Sequence, residues 1–172
     1  MATEGRALTT IEGRLLALDQ AGNLVLDTLG RMDATPALGF PTLVGKGIPY
    51  GVGITNNVGA STNIANVNFQ LQDVAGVAIA APFAFDLYLS DSATGAGITA
   101  TTPSGGIAAV SSDGTILGVG TTSKSVSVIT NASGLFELAI TDSAKTGYYP
   151  VAVLRNGAIQ VGAQLTTASY HS

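Results

Sequence analysis

The sequence predicts an all-β protein, an antiparallel β-sandwich preceded by an extended N-terminal region. Of its 172 residues, 46% are apolar and only 10% are charged, so disorder is not expected. Gly occurs 22 times, which suits turns better than helices. From residue 64 to residue 165, short alternating apolar runs recur between turn residues, a rhythm typical of a sandwich. The length allows one domain, or a small domain with a long extension.

The first 33 residues contain two apolar runs, RLLALD from Arg14 and NLVLDTL from Asn23. Between them, Asp19 to Asn23 carry turn chemistry with a glycine, so we predict a hairpin over residues 14–29. The alternative is a helix, because closely spaced leucines in the first run also suit an apolar helical stripe.

Residues 34–72 carry a single charge, Lys46, and repeated Pro and Gly residues that exclude a regular helix. They are too apolar to be a solvated linker, so this extended chain is expected to pack against something. It either wraps its own domain or forms an arm that packs on neighbouring subunits. We therefore divide the chain into an N-terminal hairpin and arm, residues 1–63, and a sandwich, residues 64–172. The candidate interface residues of the arm are Leu38, Phe40, Leu43, Val44, Ile48 and Tyr50.

The first two sandwich strands show clear alternation. Residues 64–72 place Val67, Phe69 and Leu71 on one face, and FAFDLYLS from Phe83 does the same with its apolar residues. Residues 90–106 then form a long loop rich in Gly, Thr and Ser.

Further strands follow, with turns every 8–12 residues. Ser111 to Gly114 give a hairpin signal between residues 107–110 and 115–119. Residues 125–130 and 135–140 are further strands. Asn156-Gly157 is a strong hairpin signal between residues 149–155 and 158–165.

Two tyrosines refine the fold class. Tyr148 and Tyr149 follow a polar corner and precede an apolar strand, where immunoglobulin-like sandwiches place a corner tyrosine that bonds to upstream backbone. Either residue suits this role, and an ordinary tyrosine at a strand start fits the same pattern. The prediction is an immunoglobulin-like antiparallel sandwich.

Catalytic and metal-binding patterns are not found. The only His is His171, near a terminus expected to fray, so no serine triad is predicted. With no Cys and one His, no transition-metal site is expected, and no cofactor is predicted. Four aspartates in separate turns are interpreted as turn formers rather than calcium ligands, and they are Asp73, Asp91, Asp113 and Asp142.

Paired carboxylates for glycoside cleavage would have to come from Asp86, Asp91 and Glu137. Asp86 and Glu137 alternate with apolar residues in their strands, which favours a solvent-facing position. We therefore expect no enzymatic activity. A hydrolase is kept as a third interpretation.

Charge and hydropathy limit the partners. The net charge is −4 and the basic residues are scattered, so nucleic acid is not an expected partner. No run of about 18 apolar residues suggests a membrane span, and the N-terminal residues do not resemble a signal peptide. Synthesis in a cytoplasm is expected.

Three phrases of the sandwich carry a resemblance: FQLQDVAG from Phe69, LYLSDSATG from Leu87, and ITNASGLFEL from Ile129. They resemble immunoglobulin-like modules of the capsid decoration, cement and head-fibre proteins of tailed phages. The resemblance implies a non-enzymatic structural protein of the virion, located on the capsid surface. Its partners would be the major capsid protein and further copies of itself in a homotrimer. The alternative is a head- or tail-fibre adhesin, with residues 90–106 as the tip that contacts a host glycan or receptor.

Overall fold

The computed structural model describes residues 8–11, 14–18, 24–26, 49–110, 112–155 and 157–172. The chain forms two compact units, Met1–Lys46 and Gly47–Ser172. Strands β1 (Leu8–Ile11), β2 (Arg14–Leu18) and β3 (Leu24–Leu26) form an antiparallel sheet in the first unit, in that order. Because β2 and β3 pair antiparallel, with Ala17 opposite Leu26, the hairpin is the right interpretation and the helix is wrong. The sequence analysis did not anticipate β1.

In the described residues of the second unit, nine strands form two antiparallel sheets. The four-stranded sheet has the order β4-β5-β10-β7 and the five-stranded sheet the order β12-β11-β6-β9-β8. A short 3-10 helix, Thr167–Ser169, follows. No helix in the described part of the chain is long and apolar enough to cross a membrane. The strands are β4 (Gly51–Val58), β5 (Ile64–Gln72), β6 (Ala84–Ser90), β7 (Gly106–Ala109), β8 (Thr115–Val119), β9 (Ser125–Ile129), β10 (Leu135–Thr141), β11 (Tyr149–Val153) and β12 (Ile159–Val161).

The predicted domain boundary after residue 63 does not coincide with the structural one. Strand β4 pairs with β5 from Gly51 opposite Gln72 to Val58 opposite Ala65, so it belongs to the sandwich. The sequence concealed this strand because two glycines normally weaken one. Here they make room for side chains, since a Cβ at Gly51 would lie 2.5 Å from the Gln160 amide nitrogen.

The core lies between the two sheets and confirms the predicted alternation. Val67, Phe69 and Leu71 are all 0% exposed. The Phe69 ring lies 6.2 Å from the rings of Phe85 and Phe136, which come from the facing sheet and the neighbouring strand. Burial of each such side chain contributes about 1.5–3 kcal/mol.

The turn at residues 111–114 does not form the predicted hairpin. Strand β7 pairs with β10, whereas β8 pairs with β9 in the other sheet. The turn itself forms, since the Asp113 N–H donates to the Val110 carbonyl over 3.0 Å. It leads from one sheet to the other, because a local turn signal does not specify which sheet the next strand joins. The second predicted hairpin is confirmed, with Val153 opposite Ile159.

The C-terminal segment is docked rather than frayed. The Asn63 N–H donates to the His171 carbonyl over 2.9 Å, and the His171 N–H donates to the Ile64 carbonyl over 3.0 Å. Leu165 and Tyr170 are buried. These contacts fix the backbone, while the His171 side chain remains exposed.

Candidate functional site

Of the predicted interface residues, only Tyr50 lies within the described residues. Leu38, Phe40, Leu43, Val44 and Ile48 lie outside them. Tyr50 is 58% exposed, and its N–H donates to the Gln72 carbonyl over 2.9 Å. Its side chain is therefore available at the entry to β4.

The long loop after β6 connects the two sheets, and its middle is anchored. The Asp91 carboxylate accepts hydrogen bonds from the Thr99 hydroxyl at 2.5 Å and the Ala100 N–H at 2.9 Å. The Lys124 ammonium donates to the carbonyls of Thr99 at 3.1 Å and Ala100 at 2.6 Å. The pKa of Asp91 lies below its usual value. The hydrogen bond from the Thr99 hydroxyl lowers it most, the Ala100 N–H and the Lys124 charge lower it further, and burial opposes them.

The same loop covers part of the outer face of the five-stranded sheet. The Tyr88 hydroxyl donates to the Gly95 carbonyl over 2.5 Å. A Cβ at Gly95 would lie 2.9 Å from Val161 and 3.3 Å from Val151, and Val151 is 0% exposed. The first half of the loop therefore packs on its own sheet instead of projecting, while Ile98 remains 47% exposed.

Asp142 organises the corner before β11. Its carboxylate accepts hydrogen bonds from the N–H groups of Thr146 at 3.0 Å, Ala144 at 3.3 Å and Ser104 at 3.3 Å. Burial raises the pKa of Asp142, but the hydrogen bonds from Thr146, Ser104 and Ala144 outweigh it, so the net pKa is lowered. Asp142 thus ties the end of the long loop to this corner.

Two buried tyrosines complete the corner. The Tyr148 hydroxyl lies 3.4 Å from the Asp142 carboxylate, and the Tyr170 hydroxyl donates to the Thr146 carbonyl over 2.8 Å. Burial, with the nearby Asp142 charge, raises the pKa of Tyr170. The backbone contact expected of a corner tyrosine is therefore made by Tyr170 from the C-terminal segment, whereas Tyr148 contacts a side chain.

The three candidate catalytic carboxylates are not brought together. Asp86 lies between buried Phe85 and Leu87 and faces outward from the five-stranded sheet, where it accepts a hydrogen bond from the Ser127 hydroxyl. Glu137 lies between buried residues of β10 and faces outward from the other sheet. Since the core separates these two faces, Asp86 and Glu137 do not form a carboxylate pair.

Glu137 has its own partner. The Asn66 amide donates to Glu137 over 2.9 Å. Burial raises the pKa of Glu137, the Asn66 hydrogen bond opposes this, and the Asp113 carboxyl raises it further. The contact with Asp113 joins β10 to the turn before β8.

Asp73 acts as the predicted turn former, whereas the Asp113 carboxylate accepts a hydrogen bond from the Asn131 side-chain amide at 3.3 Å. Asp73 accepts hydrogen bonds from the N–H groups of Ala75 and Val77, each at 2.9 Å. The described residues contain no group of three or more His, Cys, Asp and Glu side chains suited to a metal ion.

A small pocket opens beside Asp86, with a volume of about 220 Å³. Leu117, Ser127 and Arg155 form part of its wall. The Arg155 Nε donates to the Ala84 carbonyl over 3.3 Å. The pocket thus combines an anion, a cation, a hydroxyl and an apolar side chain. The sequence analysis singled out Asp86 but missed Arg155, because only the β6–β11 pairing brings the two strands together.

Comparisons with known proteins give no match among family models, curated proteins or solved structures.

Proposed function

We propose that this chain is a non-enzymatic structural protein of a phage virion that decorates or cements the capsid surface. The sandwich would project outward, and the N-terminal unit, residues 1–46, would contact neighbouring subunits and the major capsid protein. The resemblance of three sandwich phrases to phage surface modules motivates the proposal. The observation that best supports the non-enzymatic part is the use of the carboxylates, because Asp73, Asp91 and Asp142 bind turns and loops, and Asp86 and Glu137 face opposite ways.

We further propose that the sandwich is an immunoglobulin-like variant. Variable-type immunoglobulin domains have four strands in the order A-B-E-D facing five in the order G-F-C-C′-C″. The observed orders have the same number of positions, with β4, β5 and β6 as A, B and C. The order along the chain departs from that of a variable domain between positions C and E. Here β7 occupies position D, β8 occupies C″ and β9 occupies C′, in that order along the chain. The sequence has neither the Cys pair nor the Trp typical of antibody domains.

The test compares the mass of the full chain with that of residues 47–172 by light scattering after size exclusion. This fragment retains β4, whereas the predicted boundary would have removed it. We expect a trimer for the full chain and a monomer for the fragment. Co-sedimentation with capsids built from the major capsid protein of the same genome should then require residues 1–46. A fragment that still binds capsids normally would refute the role of the N-terminal unit.

The pocket beside Asp86 favours a second candidate function, binding of a host-surface glycan. A carboxylate and a guanidinium suit vicinal hydroxyl groups, and Leu117 offers an apolar surface to a sugar ring. Because residues 90–106 are anchored to the sandwich, they are less suited to act as the tip that contacts a host glycan than the sequence suggested. Binding of the full chain to a glycan array that is lost in both Asp86→Asn and Arg155→Gln, but kept in Glu137→Gln, would support the adhesin. Equal binding by all variants would exclude this pocket.

A further inference from the structure

A second pocket, of about 720 Å³, lies where the end of β4, the corner before β11 and the C-terminal segment meet. Its volume lies within the range of about 300–1,000 Å³ that small-molecule sites occupy. The residues that line it bring together two apolar side chains, a hydroxyl, an ammonium group and an imidazole, and they include Val58, Ala168, Thr167, Lys145 and His171.

The backbone on both sides of this pocket is held by hydrogen bonds. The His171 N–H donates to the Ile64 carbonyl over 3.0 Å, which fixes the C-terminal segment beside β5. The Lys145 N–H donates to the Asp142 carbonyl over 3.1 Å within the corner. A ligand would therefore enter a formed site, without the cost of ordering a loop.

Lys145 differs from the other two cations of the sandwich. The Lys124 and Arg155 side chains donate to backbone carbonyls. The Lys145 side chain is half-buried, yet among the described residues no carbonyl or carboxylate accepts a hydrogen bond from its ammonium. A partly desolvated charge is normally paired, so the Lys145 ammonium is available to an anion in the pocket.

The other polar groups around the pocket leave this charge uncompensated. None of the described Asp and Glu residues lines it. Ser172 does, but its carbonyl oxygen accepts from the Thr62 hydroxyl over 3.2 Å and lies 3.0 Å from the His171 Nδ1. The Asp142 carboxylate is engaged by backbone N–H groups of the corner. The charge of the pocket therefore favours an anionic ligand.

The backbone of Lys145 gives an independent indication. Its φ is +51°, in the left-handed region that disfavours residues with a side chain and that glycine adopts freely. Gly76 and Gly157 occupy this region in other turns, with φ of +76° and +81°. Such conformations are concentrated at functional sites. A lysine therefore stands in this turn against the preference of the backbone, which points to a use of its side chain.

We propose that this pocket binds a small hydroxylated carboxylate, such as a uronic acid, with the carboxylate on the Lys145 ammonium. The Thr167 hydroxyl and the His171 imidazole suit the hydroxyl groups of the ligand, and Val58 and Ala168 suit the apolar face of its ring. The pocket shares no lining residue with the one beside Asp86, so the two sites are separate. A free acid and the terminal unit of an acidic polysaccharide offer the same chemistry.

The test uses the single His of the chain as its probe. The full chain is titrated with sodium glucuronate at fixed pH and ionic strength, and the ring protons of His171 are followed by one-dimensional NMR. We expect a saturable shift with a Kd on the order of 1 mM, as for a ligand of this size. The control ligand is glucose, which has the same ring without the carboxylate and should bind about tenfold more weakly or less. A polymer of glucuronic acid in a second arm distinguishes the two sources, because tighter binding per unit than the free acid indicates the polysaccharide.

Two changes of Lys145 separate the ligand from the fold. Lys145→Gln keeps the backbone strain and should weaken glucuronate binding about tenfold or more with little change in Tm. Lys145→Gly should weaken binding equally but raise the Tm by about 2–4 °C, because the strain is relieved. The matched control is Ser123→Gly, since Ser123 has a φ of +59° and does not line the pocket. It should raise the Tm similarly and bind glucuronate as wild type does.

Three results would overturn the proposal. The first is the absence of a saturable shift with glucuronate, and the second is equal binding of glucose. The third is wild-type binding by either Lys145 variant. A lowered Tm for Lys145→Gly would show that the side chain serves the fold, and would also overturn the assignment of its ammonium to a ligand.

Discussion

Asp142 offers a direct test of how the corner before β11 is held. Asp142 is 2% exposed, and replacing it with Ala removes the acceptor for three backbone N–H groups and the Tyr148 hydroxyl. A hydrogen bond to a charged group contributes about 1.5–3 kcal/mol, but three of these four bonds are 3.3–3.4 Å long, so we expect a total loss of about 3 kcal/mol. Asp142→Asn keeps one carbonyl oxygen and should lose about half as much.

Urea unfolding of residues 47–172, followed by far-UV circular dichroism because the chain has no Trp, measures these losses. The matched control is Asp86→Asn, which makes the same chemical change on the exposed outer face and should cost about 0.5 kcal/mol or less. If Asp142→Asn costs no more than this control, the carboxylate does not hold the corner and our interpretation fails.

The same residue predicts an acid dependence. Because the folded-state pKa of Asp142 is lowered, its contribution is present above the unfolded-state pKa of about 3.9 and is lost as the pH falls through the folded-state value. The stability of wild type should therefore decrease below about pH 4, and that of Asp142→Asn should decrease less over the same interval. Parallel pH profiles for the two proteins would contradict the lowered pKa.

Three further predictions follow from the described residues. Gly134 and Gly76 both have a left-handed φ, of +74° and +76°. A Cβ added at Gly134 would clash with the Ile79 carbonyl oxygen, whereas a Cβ added at Gly76 would have no heavy atom within 4 Å. Both Gly→Ala changes should lower the free energy of unfolding by about 1 kcal/mol through left-handed strain. Gly134→Ala should lower it by at least about 2 kcal/mol more because of the clash, as measured by urea unfolding. Glu137→Gln should raise the Tm at pH 7 but not below pH 4, because a raised pKa makes the charged form costly. Residues 47–172 should unfold cooperatively on heating, whereas residues 64–172 should show no such transition, because they lack β4.

The sequence predicted what depends on local patterns. Alternation in residues 64–72 identified a strand with one buried face, and Asn156-Gly157 identified a hairpin, because both follow from backbone geometry over a few residues. The 111–114 turn was recognised for the same reason. The sheet that the chain enters after this turn was not predicted, because β8 joins the five-stranded sheet through its pairing with β9.

The glycine-rich strand β4 shows a second limit of sequence reasoning. Gly51 and Gly53 read as breakers, but the Gln160 and Gln72 side chains lie across them. These two contacts are not encoded within β4, so no local pattern reveals them. The candidate site follows the same rule, because Asp86 was identified from alternation while its neighbour Arg155 becomes visible only through the β6–β11 pairing.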